Sequence, residues 1–284
     1  MRHLIFRIHV LLQKVNDSKM AGFCFDTVQK LFARNGMLFS RKFFSENADR
    51  VERVLSMLED DESKSVYRAM IKYRCCRKRR YINPHMRPKK TIYLDQKLVK
   101  PLEDEVFVDC GAFAGESSLA FQQFCISAGK PAPLCVLFEP EPANFTLLKQ
   151  QLPKFECKPV LFQTGLWREP GRLAFAAGLY SSSRVADAGK SGIRVDTLDR
   201  LLDGIPGLPP VTYIKIDVEG SDSDVIRGAR HIIQTYRPRI AAAIYHSNEH
   251  MLEMPELLRE ICPTYRFYVR HYSCFEAETV LYCI

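Results

Sequence analysis

Acidic side chains recur just past short apolar runs: Asp109 after Val106-Phe107-Val108, Glu139 after Val136-Leu137-Phe138, and Asp217 and Glu219 after Tyr213-Ile214-Lys215-Ile216. His246 follows Ile244-Tyr245 in the same manner. A carboxylate at a strand tip can accept hydrogen bonds from a diol, pair with a cation or take up a proton. A histidine there can act as a general base, because its reference pKa lies near neutrality. Glycines stand beside the first acid, in Asp109-Cys110-Gly111-Ala112-Phe113-Ala114-Gly115, and allow positive φ or close approach to a ligand. Glu116, Ser117 and Ser118 then supply helix-start chemistry before Leu119, Ala120 and Phe121. The segment reads as strand, tight turn and helix. Open α/β sheets bind nucleotide-like ligands at such strand ends.

The glycine pattern narrows the ligand. A dinucleotide fingerprint needs G-x-G-x-x-G, but bulky Phe113 stands where its middle glycine would admit a pyrophosphate. No G-x-x-x-x-G-K-[ST] loop is present either. Asp109, just before the turn, would repel a pyrophosphate and welcome a cation. S-adenosylmethionine has no phosphate and carries an ammonium and a sulfonium, so the residues favour it over NAD. Glu139 lies 24 residues beyond Gly115, at the next strand tip, where an acid is placed to accept from a ribose diol.

With these features the chain resembles the FkbM family of class I, S-adenosylmethionine-dependent methyltransferases. The matching stretches are Val108-Asp-Cys-Gly-Ala-Phe-Ala-Gly115, Phe138-Glu-Pro-Glu-Pro-Ala-Asn144 with Leu147-Leu148, and Asp196-Thr-Leu-Asp199. They continue with Ile214-Lys-Ile-Asp-Val-Glu-Gly220, Ile226-Arg-Gly-Ala229 and Tyr245-His246. Tyr268-Val-Arg-His-Tyr272 and Thr279-Val-Leu-Tyr282 are similar to a subset of the family that modifies sugars. The family's usual asparagine after Gly-Ala is Phe113 here. The resemblance implies transfer of a methyl group to a hydroxyl of a sugar, glycan or sugar-like small molecule.

In that frame Asp109 and Gly111, with Ala112 and Gly115, hold the methionine moiety. Glu139, followed by Pro140, takes the ribose, and Gly165 and Leu166 flank the adenine with Trp167. Asp217 sits beside the transferred methyl, binding either cofactor or acceptor. His246 is the expected general base, and Tyr245, Arg270 and His271 are expected to meet the acceptor. Asp217 with His246 or Asn248 also has a spacing that resembles metal-dependent O-methyltransferases, yet a divalent metal is not expected. Two rival functions are a nucleic-acid methyltransferase and a non-enzymatic scaffold. Against the first, there is no [DN]-P-P-[YFW] motif and no Pro-Cys dipeptide. Against the second stand the intact Asp109, Gly111, Glu139 and Asp217.

The elements that must position these residues follow from hydrophobic pattern. From residue 91 onward strand and helix signals alternate, implying a parallel sheet with crossover helices. Strands are predicted near 106–109, 135–139, 159–163, 211–217, 239–245, 265–271 and 278–283. The last two are joined so tightly that they must pair antiparallel. The predicted fold is α/β, a class I methyltransferase (Rossmann-like) sheet ending in an antiparallel hairpin and preceded by a mostly helical region. Residues 1–90 form that region and residues 91–284 the methyltransferase domain. Val51, Val54, Leu55 and Leu58 recur at helical spacing after Asp49, and Val66, Ala69, Met70 and Tyr73 after Ser63 or Ser65. These helices are expected to cover one side of the active site or form an oligomer contact. Ala176 to Ile193 reads as a substrate-side loop.

Composition sets the outer limits. The chain has 284 residues, 46% of them hydrophobic, enough for one large domain with an appendage. The net charge of +8 is concentrated in 74–90, where eight lysines and arginines occur without an acid. That run reads either as a solvated linker, with Pro84 and Pro88, or as the site of an anionic partner. Ten cysteines scattered without C-x-x-C pairs suit buried thiols in a reducing cytoplasm. Met1 to Lys14 is interrupted by Arg7 and His9 and lacks an A-x-A site, so it reads as a core element rather than a secretory signal. No run is long enough to span a bilayer.

Overall fold

The computed structural model describes residues 36–157, 159–173 and 192–284. The expected core element at 1–14 lies outside them, and so does the substrate-side loop Ala176 to Ile193 apart from its last two residues. Seven strands build the main sheet: β1 (Val106–Cys110), β2 (Leu134–Phe138), β3 (Val160–Phe162), β7 (Tyr213–Ile216), β8 (Arg239–Ala243), β9 (Phe267–His271) and β10 (Thr279–Cys283). Their order is β3-β2-β1-β7-β8-β10-β9. Every pairing is parallel except those of β10, which runs against both β8 and β9. The order turns back between β1 and β7, so the carboxyl ends of these two strands frame the crevice where open α/β sheets take ligands.

The strands are apolar because both faces are covered. All residues of β1, β7, and β10 are buried, as expected of strands sandwiched between helices. The covering helices are α4 (Glu116–Ser127), α5 (Pro142–Gln150), α6 (Leu198–Asp203), α7 (Asp222–Gly228), α8 (Arg230–Tyr236) and α9 (Asn248–Ile261). A small second sheet, β4 (Gly165–Leu166), β5 (Gly171–Leu173) and β6 (Ile193–Asp196), lies in the order β4-β6-β5.

Before the sheet come a helix visible over 36–46 (α1), α2 (Ala48–Met57) and α3 (Asp61–Cys76). The caps differ from those predicted. Asn47 precedes α2 in place of Asp49, and Asp60 caps α3 by accepting from the Ser63 N–H at 2.7 Å. Val54, Leu55, Val66, Tyr67 and Met70 join the same hydrophobic core as Leu252, Leu258 and Phe267. Tyr67 donates its buried hydroxyl to the Met251 carbonyl at 2.8 Å, and Arg50 forms ion pairs with Glu249 and Glu256.

The basic stretch is docked on the fold rather than free as a linker would be. Arg74 closes α3 from the inside, bonding Asn248 and the Tyr245 carbonyl. Arg77 pairs with Glu276, Arg87 with Glu62 and Asp95, and Lys89 with Glu278. Lys78, Arg79, Arg80 and Lys90 have no carboxylate at ion-pair distance among the described residues, and Arg79 lies over the exposed Phe275 ring.

Candidate active site

The loop after β1 is shaped by backbone demands. Gly111 has φ +90°, and a Cβ there would come within 2.0 Å of the Asp217 carbonyl oxygen. Side-chain-free backbone lets the β1 and β7 tips close together. The N–H groups of Gly111 and Ala112 both donate to the Phe138 carbonyl, which pins the turn to β2. Gly115 has φ +88° and starts α4, where a Cβ would press within 2.8 Å of Leu148. Phe113 itself adopts φ +51° with its side chain half exposed.

Asp109 does not reach into the crevice. It is fully buried, its Oδ2 accepts from Ser117 and Ser118 hydroxyls at 2.6 Å each, and Lys215 Nζ lies 3.0 Å from Oδ1. The same ammonium donates to the Gly111 carbonyl at 2.6 Å. Asp109 and Lys215 are register partners on β1 and β7, so adjacent strands bring the pair together. The expectation that Asp109 holds the methionine moiety is therefore corrected: it braces the loop from beneath.

Glu139 stays where the sequence placed it, past β2. Its Oε2 accepts from the Phe113 N–H at 2.9 Å and its Oε1 from the Glu141 N–H at 2.9 Å. Burial raises its carboxyl above the usual range, and these backbone donors counter part of that rise. Pro140 continues the chain beside it, half-buried.

At the tips of β7 and β8 six polar side chains converge. Asp217 Oδ2 accepts from the Tyr93 hydroxyl at 2.7 Å, and Oδ1 from the Tyr245 hydroxyl at 3.2 Å. His246 Nε2 lies 3.3 Å from Asp217 Oδ1 and 3.5 Å from Glu219 Oε2, while its Nδ1 faces Asp222 Oδ2 at 3.0 Å. Burial opposes the charged imidazole, but Asp217, Asp222 and Glu219 outweigh it and push its pKa up to about 12. Burial likewise pushes the Asp217 carboxyl up, and His246 with Lys215 overcome it and hold that group at about 2. The carboxylates thus favour the charged form of the ring, and His246 in turn favours the ionised form of Asp217. His246 stands at the strand tip where it was expected, with a carboxylate beside each ring nitrogen and Asp217 as its anionic partner on the crevice side.

Other expected contacts fall elsewhere. Arg270 is only 2% exposed and points to the N-terminal helices, donating to Asp60 Oδ2 at 2.6 Å and Ser63 Oγ at 2.7 Å. His271 is fully buried, with Nδ1 3.0 Å from the Thr279 hydroxyl. Both were expected to meet the acceptor; Asp60 and Ser63 at the start of α3 take the Arg270 side chain instead, and Thr279 of β10 takes that of His271. Gly165 and Leu166 are buried within β4, and a Cβ on Gly165 would meet Val195 at 2.9 Å, so packing explains that glycine. Leu166 joins the core and offers no open wall for adenine. Asn248 is held by Ser40 and Arg74, away from Asp217. Tyr93 and Asp222 entered the cluster without being singled out from sequence. Tyr93 comes from an aperiodic stretch far upstream, whereas Asp222, in the first turn of α7, carried an ordinary helix-start signal.

His271 makes a pH prediction. Burial pushes its imidazole down to about 4, below the ordinary 6.5. The unfolded chain therefore takes up the proton first as pH falls. Stability from the neutral ring is full above 6.5 and is lost between 6.5 and 4, about 3 kcal/mol at most. Thermal unfolding of His271→Gln should show a shallower acid loss in that window, and a slope equal to wild type would contradict it.

The crevice fits S-adenosylmethionine better than a pyrophosphate-bearing cofactor. Glu139 keeps a carboxylate just past β2, the Gly111 turn brings backbone close, and Asp217 puts an acid at the β7 tip. The sheet order, lone antiparallel strand and acid-tipped crevice define the fold of a class I methyltransferase. The model of the family described as the methyltransferase FkbM domain matches residues 109–262, and the chain belongs to that family. Methyltransferase 1 of Beauveria bassiana is 26% identical over 166 residues, covering 49% of this chain and 65% of that protein. The solved structure of the methyltransferase FkbM from Methylobacillus flagellatus is 24% identical, with a TM-score of 0.73, over 86% of this chain and 60% of that one. The chain thus spans under two thirds of either relative's length. Among the described residues no helix is long and apolar enough to cross a membrane.

Proposed function

We propose that the protein is an S-adenosylmethionine-dependent O-methyltransferase acting on a hydroxyl of a sugar, glycan or sugar-like small molecule. The observation that carries this reading is Asp217, a carboxylate at the central strand tip with two phenols and an imidazole around it. Such a polar wall suits an alcohol acceptor better than an aromatic base, which would call for stacking side chains. The bound cofactor supplies an electrophilic methyl on a sulfonium. Glu139 holds the ribose, and Gly111 with Ala112 and Gly115 shapes the floor beneath the methionine moiety. Asp217 accepts the hydrogen bond of the acceptor hydroxyl as its oxygen attacks, and takes the proton once the methyl has arrived and made that oxygen strongly acidic. Tyr93 and Tyr245 hold Asp217 in place, and His246 fixes its charge. Alignment of this kind contributes several kcal/mol, and a positioned base about 10²–10⁴-fold in rate. The sugar class rests on the carboxy-terminal resemblance, and a cytoplasmic location on the free thiols.

A transfer screen with radiolabelled methyl over nucleotide sugars, free glycans and RNA tests the reading. Label on a carbohydrate hydroxyl is expected; label on RNA bases alone would replace it with nucleic-acid methylation. Glu139→Ala should weaken cofactor binding by one or two charge-assisted hydrogen bonds, about 1.5–3 kcal/mol each, and calorimetry at wild-type affinity would remove Glu139 from the ribose.

The exposed cations Lys78, Arg79, Arg80 and Lys90 form a basic edge suited to an anionic acceptor such as a sugar phosphate. Neutralising the first three together, while leaving Arg77 on Glu276, should raise the KM for anionic acceptors and reduce its salt dependence. Cofactor affinity should not change. Unaltered KM values for every acceptor would leave the edge without a role in recognition.

A further inference from the structure

Three side chains at the tips of β7 and β8 turn their electron-pair donors toward one point. His246 Nε2, Asp217 Oδ1 and Glu219 Oε2 all lie within 4.8 Å of one another, with Nε2 at 3.3 and 3.5 Å from the two oxygens. Donor atoms about 2.1 Å from one ion and at right angles to each other stand about 3 Å apart, so these gaps are close to the edges of a coordination polyhedron. The imidazole side chain is only 5% exposed, yet neither ring nitrogen has a well-directed hydrogen bond. Nε2, aimed between two carboxylates without a well-directed bond, can hold a proton or a cation there, and a divalent ion that binds displaces the proton.

The surroundings of the ring support a ligand role. Behind it, Asp222 Oδ2 lies 3.0 Å from Nδ1, and Asp222 is itself fixed by the N–H groups of Val218 and Gly220 at 3.1 and 3.0 Å. A carboxylate placed behind a ligating histidine sets its tautomer and turns its other nitrogen toward the ion. Glu219 is half exposed, so the same point is open on the crevice side to water or to an acceptor oxygen. A second grouping, Asp222 with His246 and His250, is less suited: both Asp222 oxygens already accept backbone bonds, and His250 Nδ1 stands 3.8 Å away.

We propose that Asp217, Glu219 and His246 bind a divalent cation through Oδ1, Oε2 and Nε2, with Asp222 positioning the histidine from behind. Two carboxylate oxygens with one imidazole nitrogen suit an ion that accepts mixed oxygen and nitrogen donors, Mn²⁺ among them. The remaining positions face the crevice, where the ion would hold an acceptor hydroxyl. That last role rests on the proposed function; the binding of the ion does not.

Titration of chelator-stripped, full-length protein with Mn²⁺, followed by electron paramagnetic resonance of the free ion, tests the site. One tightly held ion per chain is expected. Glu219→Gln, at a half-exposed side chain that the fold does not need, should weaken binding tenfold or more, and so should His246→Gln. Asp222→Asn should weaken it tenfold or more without removing a ligand, whereas the exposed Glu169→Gln should leave it unchanged. Absence of Mn²⁺ binding by the folded wild type would overturn the proposal, as would equal affinity in Glu219→Gln and His246→Gln. Calorimetry with S-adenosylmethionine on the same samples separates the two readings. Mn²⁺ binding without cofactor binding supports the ion site and sinks the functional reading. Methyl transfer by a protein that takes up no Mn²⁺ does the reverse.

Discussion

Gly111→Ala is expected to destabilise the protein by several kcal/mol and to abolish cofactor binding in whatever fraction folds. Its Cβ would lie 2.0 Å from the Asp217 carbonyl oxygen and 3.0 Å from the carbonyl carbon, both backbone atoms that cannot swing aside. The φ of +90° adds strain of its own, on the order of 1–3 kcal/mol for a residue with a side chain. To relieve the clash β1 and β7 must part at their tips, which moves Asp217 away from the crevice floor. Gly129 provides the comparison: it has φ +74°, but a Cβ there meets nothing within 4 Å. Gly129→Ala should therefore cost only the backbone strain. Thermal unfolding of the two variants separates clash from strain, and equal small losses would show that the tips are not pressed together.

Asp217→Asn is expected to lower kcat on the order of 10²–10⁴-fold at saturating cofactor, with the affinity for S-adenosylmethionine changing far less. The amide preserves size and still accepts from Tyr93, but it cannot take the acceptor's proton and it lacks the charge that faces His246 and Lys215. A kcat within tenfold of wild type in the asparagine variant would move the proton elsewhere and reduce Asp217 to a scaffold.

Much of the sheet was legible because parallel strands buried on both faces must be written as continuous apolar runs. The predicted strands near 106–109, 135–139 and 211–217 became β1, β2 and β7, and the short link after Tyr272 did force β9 and β10 antiparallel. The acids past those runs were legible for the same reason, since a chain leaving a buried strand must change character. Which way each acid points was not. Asp109 turned inward because its register partner on β7 is a lysine and because two serines of α4 close over it, facts of pairing and packing rather than of spacing. Arg270 and His271 were placed at the correct level of the sheet, yet Asp60 and Ser63 reach Arg270 only once α3 docks on β9, and His271 turns to Thr279 of the neighbouring strand. The basic stretch could be counted from its residues, but its partners Glu62, Asp95, and Glu276 with Glu278 lie in three separate places along the chain. Tyr93 left no trace at all, because it contributes a single hydroxyl from a segment without periodicity.

The crevice between β1 and β7 carries the whole functional argument, and its ligand can be measured directly. Calorimetric titration of the full-length protein with S-adenosylmethionine, its demethylated product and NAD is the decisive measurement. The first two should bind with one site per chain, Glu139→Ala should weaken both, and NAD should give no heat. Saturable binding of NAD by the folded protein, with none of S-adenosylmethionine, would contradict the account.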